Sequence, residues 1–219
     1  MDAILALKLL HLLLFVYWLG GDLGTFYASR WVADASQPVA ARKVAAQIML
    51  AVDMAPRLSL PLILPTGIQL AQWQGRIDLP SAGMALIWLL CLGWLAVVWM
   101  IHQLQGSRQA SLLTRFDLIW RSIVLMALLV TTVSAMTSSV PSLPWVGLKL
   151  GVYTLALVCG LLIRLHLRPF GPAFLSLLQD GPSEPVNQAI RSSIARCRPL
   201  VLLIWLALLT NAALGLHLF

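Results

Sequence analysis

An ionisable side chain inside an apolar run has to face protein, water or a ligand. His11, Asp22, Asp53, Arg57 and Lys149 all stand in such runs. Lys8, His11, Phe15, Trp18 and Asp22 recur at helical spacing, and at 100° per residue His11, Trp18 and Asp22 fall within about 40° of one another. They form one stripe. A neutral imidazole is the usual protein ligand for haem iron, which makes His11 a candidate single axial ligand for haem b. In that case Phe15 and Trp18 would pack the macrocycle and Asp22 could carry protons. Gly20, Gly21 and Gly24 lie at the end of the stripe. Either Gly20-xxx-Gly24 is a helix-packing face, or the bare backbone admits a flat ligand.

The run from Asp53 to Gly67 holds Pro56, Pro61 and Pro65, each of which removes an amide donor and frees the carbonyl four residues earlier. A helix broken in this way must line protein or a cavity rather than lipid. Asp53 and Arg57 are four residues apart and either pair with each other or leave Arg57 to present a permanent cation to an anionic ligand such as a carboxylate. Further on, Lys149 follows Trp145 by one turn and Tyr153 lies one turn deeper. Lys149 either snorkels to the interface or supplies a second cation to the same ligand. Among the other histidines, His102 and His166 are the only pair predicted at one depth, while His217 sits at the opposite boundary. Asn211, Thr131, Thr132 and Ser134 read as interhelical hydrogen-bond glue.

These residues need a membrane to make sense of them. Of 219 residues, 60% are hydrophobic and 11% charged, where a soluble domain carries about 25% charge. The pattern predicts an all-α polytopic membrane helix bundle forming a single domain, with six spans at about 3–29, 44–73, 83–104, 116–137, 145–166 and 199–218. The leader Met1-Asp2 has no basic region, so the first run reads as a retained span rather than a cleaved signal. The net charge of +7 is an orientation signal and not a nucleic-acid footprint. Eleven of the 15 basic residues fall in the first, third and fifth loops: Arg30, Arg42, Lys43; Arg108, Arg115, Arg121; and Arg164, Arg168, Arg191, Arg196, Arg198. The positive-inside rule then places those loops in the cytoplasm, both termini outside, and the chain in a bacterial-type inner membrane. The fifth loop, 167–198, carries four prolines and is expected to be ordered only in part, with Asn187 to Arg198 as a basic amphipathic helix on the anionic leaflet, a surface for lipid or a protein partner. Cys91, Cys159 and Cys197 form no metal or haem-attachment motif.

The run Leu9 to Gly21 around His11, Arg42-Lys43 leading to Ile48-Met49, and the proline-rich stretch ending at Gly67 resemble the opening helices of HemJ-type protoporphyrinogen oxidases and their CopD-like relatives. Trp145-xxx-Lys149-Leu150 is similar to the start of a later core helix in that group, and Arg198-Pro199 before the last apolar run is similar to its final helix. The resemblance spans about half the chain. It implies a four-helix haem-type core with two added spans, a haem b held by His11, and oxidation of a porphyrinogen. The group's second histidine along the Trp-Lys helix is absent, leaving His166 near its end.

Three functions from different classes follow. The first is a membrane oxidoreductase acting on a porphyrinogen or quinol, with porphyrin or quinone as ligand, Asp22 and Asp53 as catalytic carboxyls, and Arg57, Lys149 and Tyr153 toward the cofactor. The second is a small permease for a metal or a small anion, lined by the broken second span, Asp22, Asp53 and Arg57. The third is a noncatalytic anchor subunit. A copper route is disfavoured because the methionines do not cluster at the outer face.

Overall fold

The computed structural model describes residues 2–218. Among them the chain is all-α: six long apolar helices able to cross a bilayer, one short helix, and no strand. It is a multi-pass membrane protein. In order, α1 is Ala3–Ala33; α2 (Val39–Val52) and α3 (Met54–Trp73) together make the second span, interrupted at Asp53; α4 is Ser81–Gln103; α5 is Arg108–Met136; α6 is Leu143–His166; α7 is the short Phe170–Gln179; and α8 is Glu184–Gly215. Ends are set locally. The Asp2 carboxylate accepts from the Ile4 amide and the Ser107 hydroxyl from the Ala110 amide, while Pro144 and Pro185 occupy first turns where no amide is needed. In the turn after α1, Asp34 accepts from the Ser36 amide and hydroxyl and from Gln37, which holds its carboxyl below the usual range.

The spans close into a ring in which α1 touches α3, α3 touches α4, then α5, α6 and α8 follow, and α8 returns to α1. The ring is pinched across its middle. Tyr153 of α6 donates its hydroxyl to the Leu60 carbonyl of α3 at 3.0 Å and stands edge-on to Trp18 of α1, with 6.2 Å between ring centroids. Trp18, Leu60, Trp94, Leu128, Leu157 and Ile204 belong to this core, so all six spans contribute to it.

A second apolar core lies beyond the ring, at the end where most basic residues gather. The 31 residues of α1 and the 32 of α8 would extend about 46 and 48 Å, against a hydrocarbon thickness of about 30 Å. Their overhang packs with α2 and α7 around Val32, Ala46, Leu177 and Ile190. Arg42, 1% exposed, closes this collar by donating to the Val32 carbonyl at 3.0 Å and to Asn187 Oδ1 at 2.8 Å.

Several expectations change here. Residues 167–198 are largely helical, and Asn187 to Arg198 are not a separate surface helix: α8 runs unbroken through Pro199. The face bearing Asn187, Ile190, Ser193, Ile194 and Cys197 is buried within the protein, because a buried polar and apolar stripe finds better partners in α2 and α7 than at a lipid surface. The prolines of the second span do not shatter it. Pro61 and Pro65 lie buried within a continuous α3, and the single interruption precedes Pro56. Lys8 is exposed and leaves the stripe of His11, Trp18 and Asp22.

The packing glycines are Gly21 and Gly24 rather than Gly20 and Gly24. A Cβ on Gly21 would collide with Pro56 Cδ and stand 3.2 Å from the Val52 carbonyl, and one on Gly24 would stand 2.8 Å from Val52 Cγ1; Gly20 has nothing within 4 Å. The bare face of α1 thus presses on the interruption in the second span, where the Val52 carbonyl has lost its donor to Pro56. Gly21→Ala is expected to lower the folded yield and thermal midpoint of detergent-purified protein, whereas Gly20→Ala leaves both unchanged or slightly raised. Equal behaviour of the two variants would remove the close approach from the account.

Candidate functional site

Where the ring core and the collar core part, a cavity of about 240 Å³ opens between α1, the second span, α6 and α8. Its walls are mainly apolar, with Trp18, Phe26, Leu60, Leu157 and Ile204 among them. Its polar residues come from five directions. Asp22 and Thr25 come from α1, Asp53 and Arg57 from the interruption in the second span, Arg121 from α5, Arg164 from α6 and Arg198 from α8.

The charges are only partly matched. Arg57 pairs with Asp53 and keeps its side chain 42% exposed. Asp117 of α5, fully buried, accepts from Arg121 Nε at 3.0 Å, Arg164 Nη1 at 2.7 Å and Trp94 Nε1 at 2.9 Å. One carboxylate therefore holds two guanidinia, and the Arg121 guanidinium also lies over the Trp94 ring at 5.1 Å. Arg198 makes no ion pair among the described residues. Its guanidinium lies 5.9 Å from the Phe26 centroid. Four guanidinia thus meet three carboxyls, an excess of one cation.

Hydrogen-bond accounting points the same way. Asp22 Oδ2, Thr25 Oγ1, Arg121 Nη2 and Arg198 Nε are buried without a protein partner, and all four residues line this one cavity. Buried polar atoms left unmatched are costly, so such a concentration marks a place for water or a polar ligand.

The residues singled out by sequence divide into two groups. Trp18, Asp22, Asp53 and Arg57 line the cavity. His11, Phe15, Lys149 and Tyr153 do not. Tyr153 is buried in the pinch above it. Phe15 packs on the ring core from a partly buried position. Lys149 sits near the opposite end, where Nζ donates to the Asn211 carbonyl at 2.9 Å and Asn211 Nδ2 returns a bond to the Lys149 carbonyl. It shares no ligand site with Arg57. This reciprocal pair is the glue expected of Asn211.

His11 meets α3. Its ring lies on the bare backbone of Gly67, where a Cβ would come within 3.1 Å of Cε1, and Nδ1 is 2.8 Å from Thr66 Oγ1. The Thr66 hydroxyl is also 2.9 Å from the Leu62 carbonyl and 3.0 Å from the Ile63 carbonyl. Those carbonyls only accept, so the single hydroxyl proton goes to them and the imidazole must donate from Nδ1. In the neutral ring Nε2 then keeps a free lone pair. That is the tautomer of an axial metal ligand. No cluster of three or more metal-ligating residues occurs among the described residues.

By sequence Arg121, Arg164 and Arg198 count as loop charges, and Asp117 does not stand out. The available signal was Asp117-xxx-Arg121, the same spacing as Asp53-xxx-Arg57, just inside a predicted span. No family model matches the chain, and neither does any curated protein or solved structure.

Asp117→Asn leaves Arg121, 5% exposed, as an unpaired buried cation. It is expected to destabilise the fold by about 3–5 kcal/mol, read as lost folded yield in size-exclusion chromatography. Arg164→Gln is expected to be milder, because Asp117 keeps Arg121 and Trp94.

Proposed function

We propose that the protein is a small permease whose cavity takes an amphiphilic organic anion from its basic end. The observation that carries this reading is the convergence of four unmatched buried polar atoms and one surplus guanidinium charge inside a mainly apolar chamber. An anionic head would meet Arg198 and Arg121, and an apolar body would lie against Trp18, Phe26 and Leu157. Arg57 and Arg164 also line a smaller groove beside His102, between α3, α4 and α6, and both keep exposed side-chain surface, which gives a route inward. The pinch of Trp18, Tyr153 and Leu60 closes the other side. A chamber reached from one end, beside an interrupted helix, is the arrangement alternating access uses. The loop charges support placing the basic end in the cytoplasm of a bacterial-type inner membrane, with both termini outside.

Naphthalene-2-sulfonate is a suitable probe, with the uncharged 2-naphthalenemethanol as control. In lipid nanodiscs the sulfonate is expected to bind and the alcohol not to, and Arg198→Gln should weaken binding about tenfold, the size of one charged hydrogen bond. In proteoliposomes the sulfonate should be taken up. Equal binding of both probes, indifference to Arg198→Gln, or binding without uptake would each sink the permease reading.

A second reading, an oxidoreductase using haem b on a porphyrinogen or quinol, draws support from the His11 tautomer and from the resemblance to the HemJ and CopD-like group. His11 Nε2 would be the axial ligand, and bound haem would supply the redox chemistry. Oxidised and dithionite-reduced absorbance spectra test it. Near-stoichiometric haem lost in His11→Ala is the expected result, and a colourless folded protein, or an unchanged Soret band in the variant, would discard it.

A further inference from the structure

At the end of the bundle opposite the cavity, three basic side chains surround one indole. The Arg76 guanidinium lies over the Trp145 ring at 4.2 Å, the Lys149 ammonium at 5.1 Å, and the His217 ring stacks on it at 5.4 Å with an interplanar angle of 20°. Arg76 Nη2 donates to His217 Nε2 at 3.2 Å. The Ser142 hydroxyl donates to the Arg76 carbonyl at 2.7 Å, which fixes the 74–80 turn against the start of α6. Three separate pieces of chain, the turn after α3, the start of α6 and the segment after α8, thus meet at one point.

Among the described residues no carboxylate completes the group. Asp78, two residues from Arg76, is exposed, and none of the ion pairs among the described residues involves Arg76, Lys149 or His217. Like charges brought together without a counter-ion repel, and an indole face offsets that only in part. Donors are also in surplus. Of the three N–H bonds of Lys149 one is used, on Asn211, and of the five of Arg76 one is used, on His217. A tetrahedral oxyanion answers both deficits, because it brings negative charge and several acceptors to one spot.

We propose that Arg76, Lys149, His217 and Trp145 form a binding site for a phosphate-type oxyanion at the membrane interface. A tryptophan with basic neighbours at a helix end lies at headgroup level, where the abundant oxyanion is a phospholipid phosphate. Free inorganic phosphate offers the same chemistry. The site shares no residue with the cavity, so it stands or falls apart from the permease reading.

The test uses the full-length protein in a neutral detergent after delipidation, with thermal unfolding followed on addition of dioleoyl-phosphatidylglycerol or of inorganic phosphate. The lipid is expected to raise the midpoint and to remain bound in native mass spectrometry. Arg76→Gln, in an exposed turn, should fold normally and weaken that binding roughly fivefold, the effect of about 1 kcal/mol from one interfacial cation. Arg198→Gln, in the cavity, should leave it unchanged. Lys149→Met, where it folds, should act in the same direction as Arg76→Gln. A shift produced equally by inorganic phosphate and lost in Arg76→Gln supports the site with a free oxyanion as occupant. A lipid or phosphate effect identical in wild type and Arg76→Gln overturns the proposal.

Discussion

Asp117 is the charge on which the arrangement of the bundle turns. It is fully buried, and its two oxygens bind Trp94 of α4, Arg121 of its own helix and Arg164 of α6. Its attraction in a low-dielectric interior draws three neighbouring spans to one level and brings two guanidinia to the edge of the cavity. One carboxylate satisfies neither cation completely, and Arg121 Nη2 is left over. The positive character of the chamber is therefore a by-product of how half of the ring is held together.

The other half is held by shape. Gly21 and Gly24 let α1 close onto the point where the second span loses its hydrogen-bond ladder, and that contact sets Asp22 beside Asp53 and Arg57. Tyr153, which reaches across to Leu60, then seals the upper side. Charge on the α5 and α6 side and close backbone approach on the α1 and α3 side meet at one cavity. Neither would produce it alone.

Hydropathy made the six spans legible because each run had to be long and apolar, and the spacing of His11, Trp18 and Asp22 correctly put them on one protein-facing stripe. The depth of each residue was less legible. The stripe runs through three environments: a polar contact on α3 for His11, the core for Trp18 and the cavity for Asp22. Periodicity gives an angle about the helix but does not say what stands opposite. For want of that information the sequence leaves Lys149 open between an interfacial lysine and a partner of Arg57, and the two lie toward opposite ends. Arg121 and Arg164 count as loop charges by sequence because each stands in the end turns of its apolar run, 116–137 or 145–166, where a boundary cation and a buried one look alike. The collar was hidden for a related reason: the apolar stretch 170–179 is too short to span and is flanked by prolines, and 187–198 has the charge pattern of a lipid-surface helix, yet burial of Ile190 and Leu177 with α1 and α2 orders them.

The division into a ring core and a collar core means that one chain is stabilised in two solvents. Within hydrocarbon there is no hydrophobic gain in bringing Leu157 to Ile204, so the ring is held by close packing, polar contacts and the Asp117 cluster. The collar, built where α1 and α8 are longer than a bilayer's hydrocarbon requires, is held by expulsion of water from Val32, Leu177 and Ile190, a force that fades on cooling and in urea. The cavity takes its walls from both cores, Trp18, Leu60 and Leu157 from one and Met49 and Ile194 from the other, so a change of solvent conditions that loosens one core deforms only one side of it.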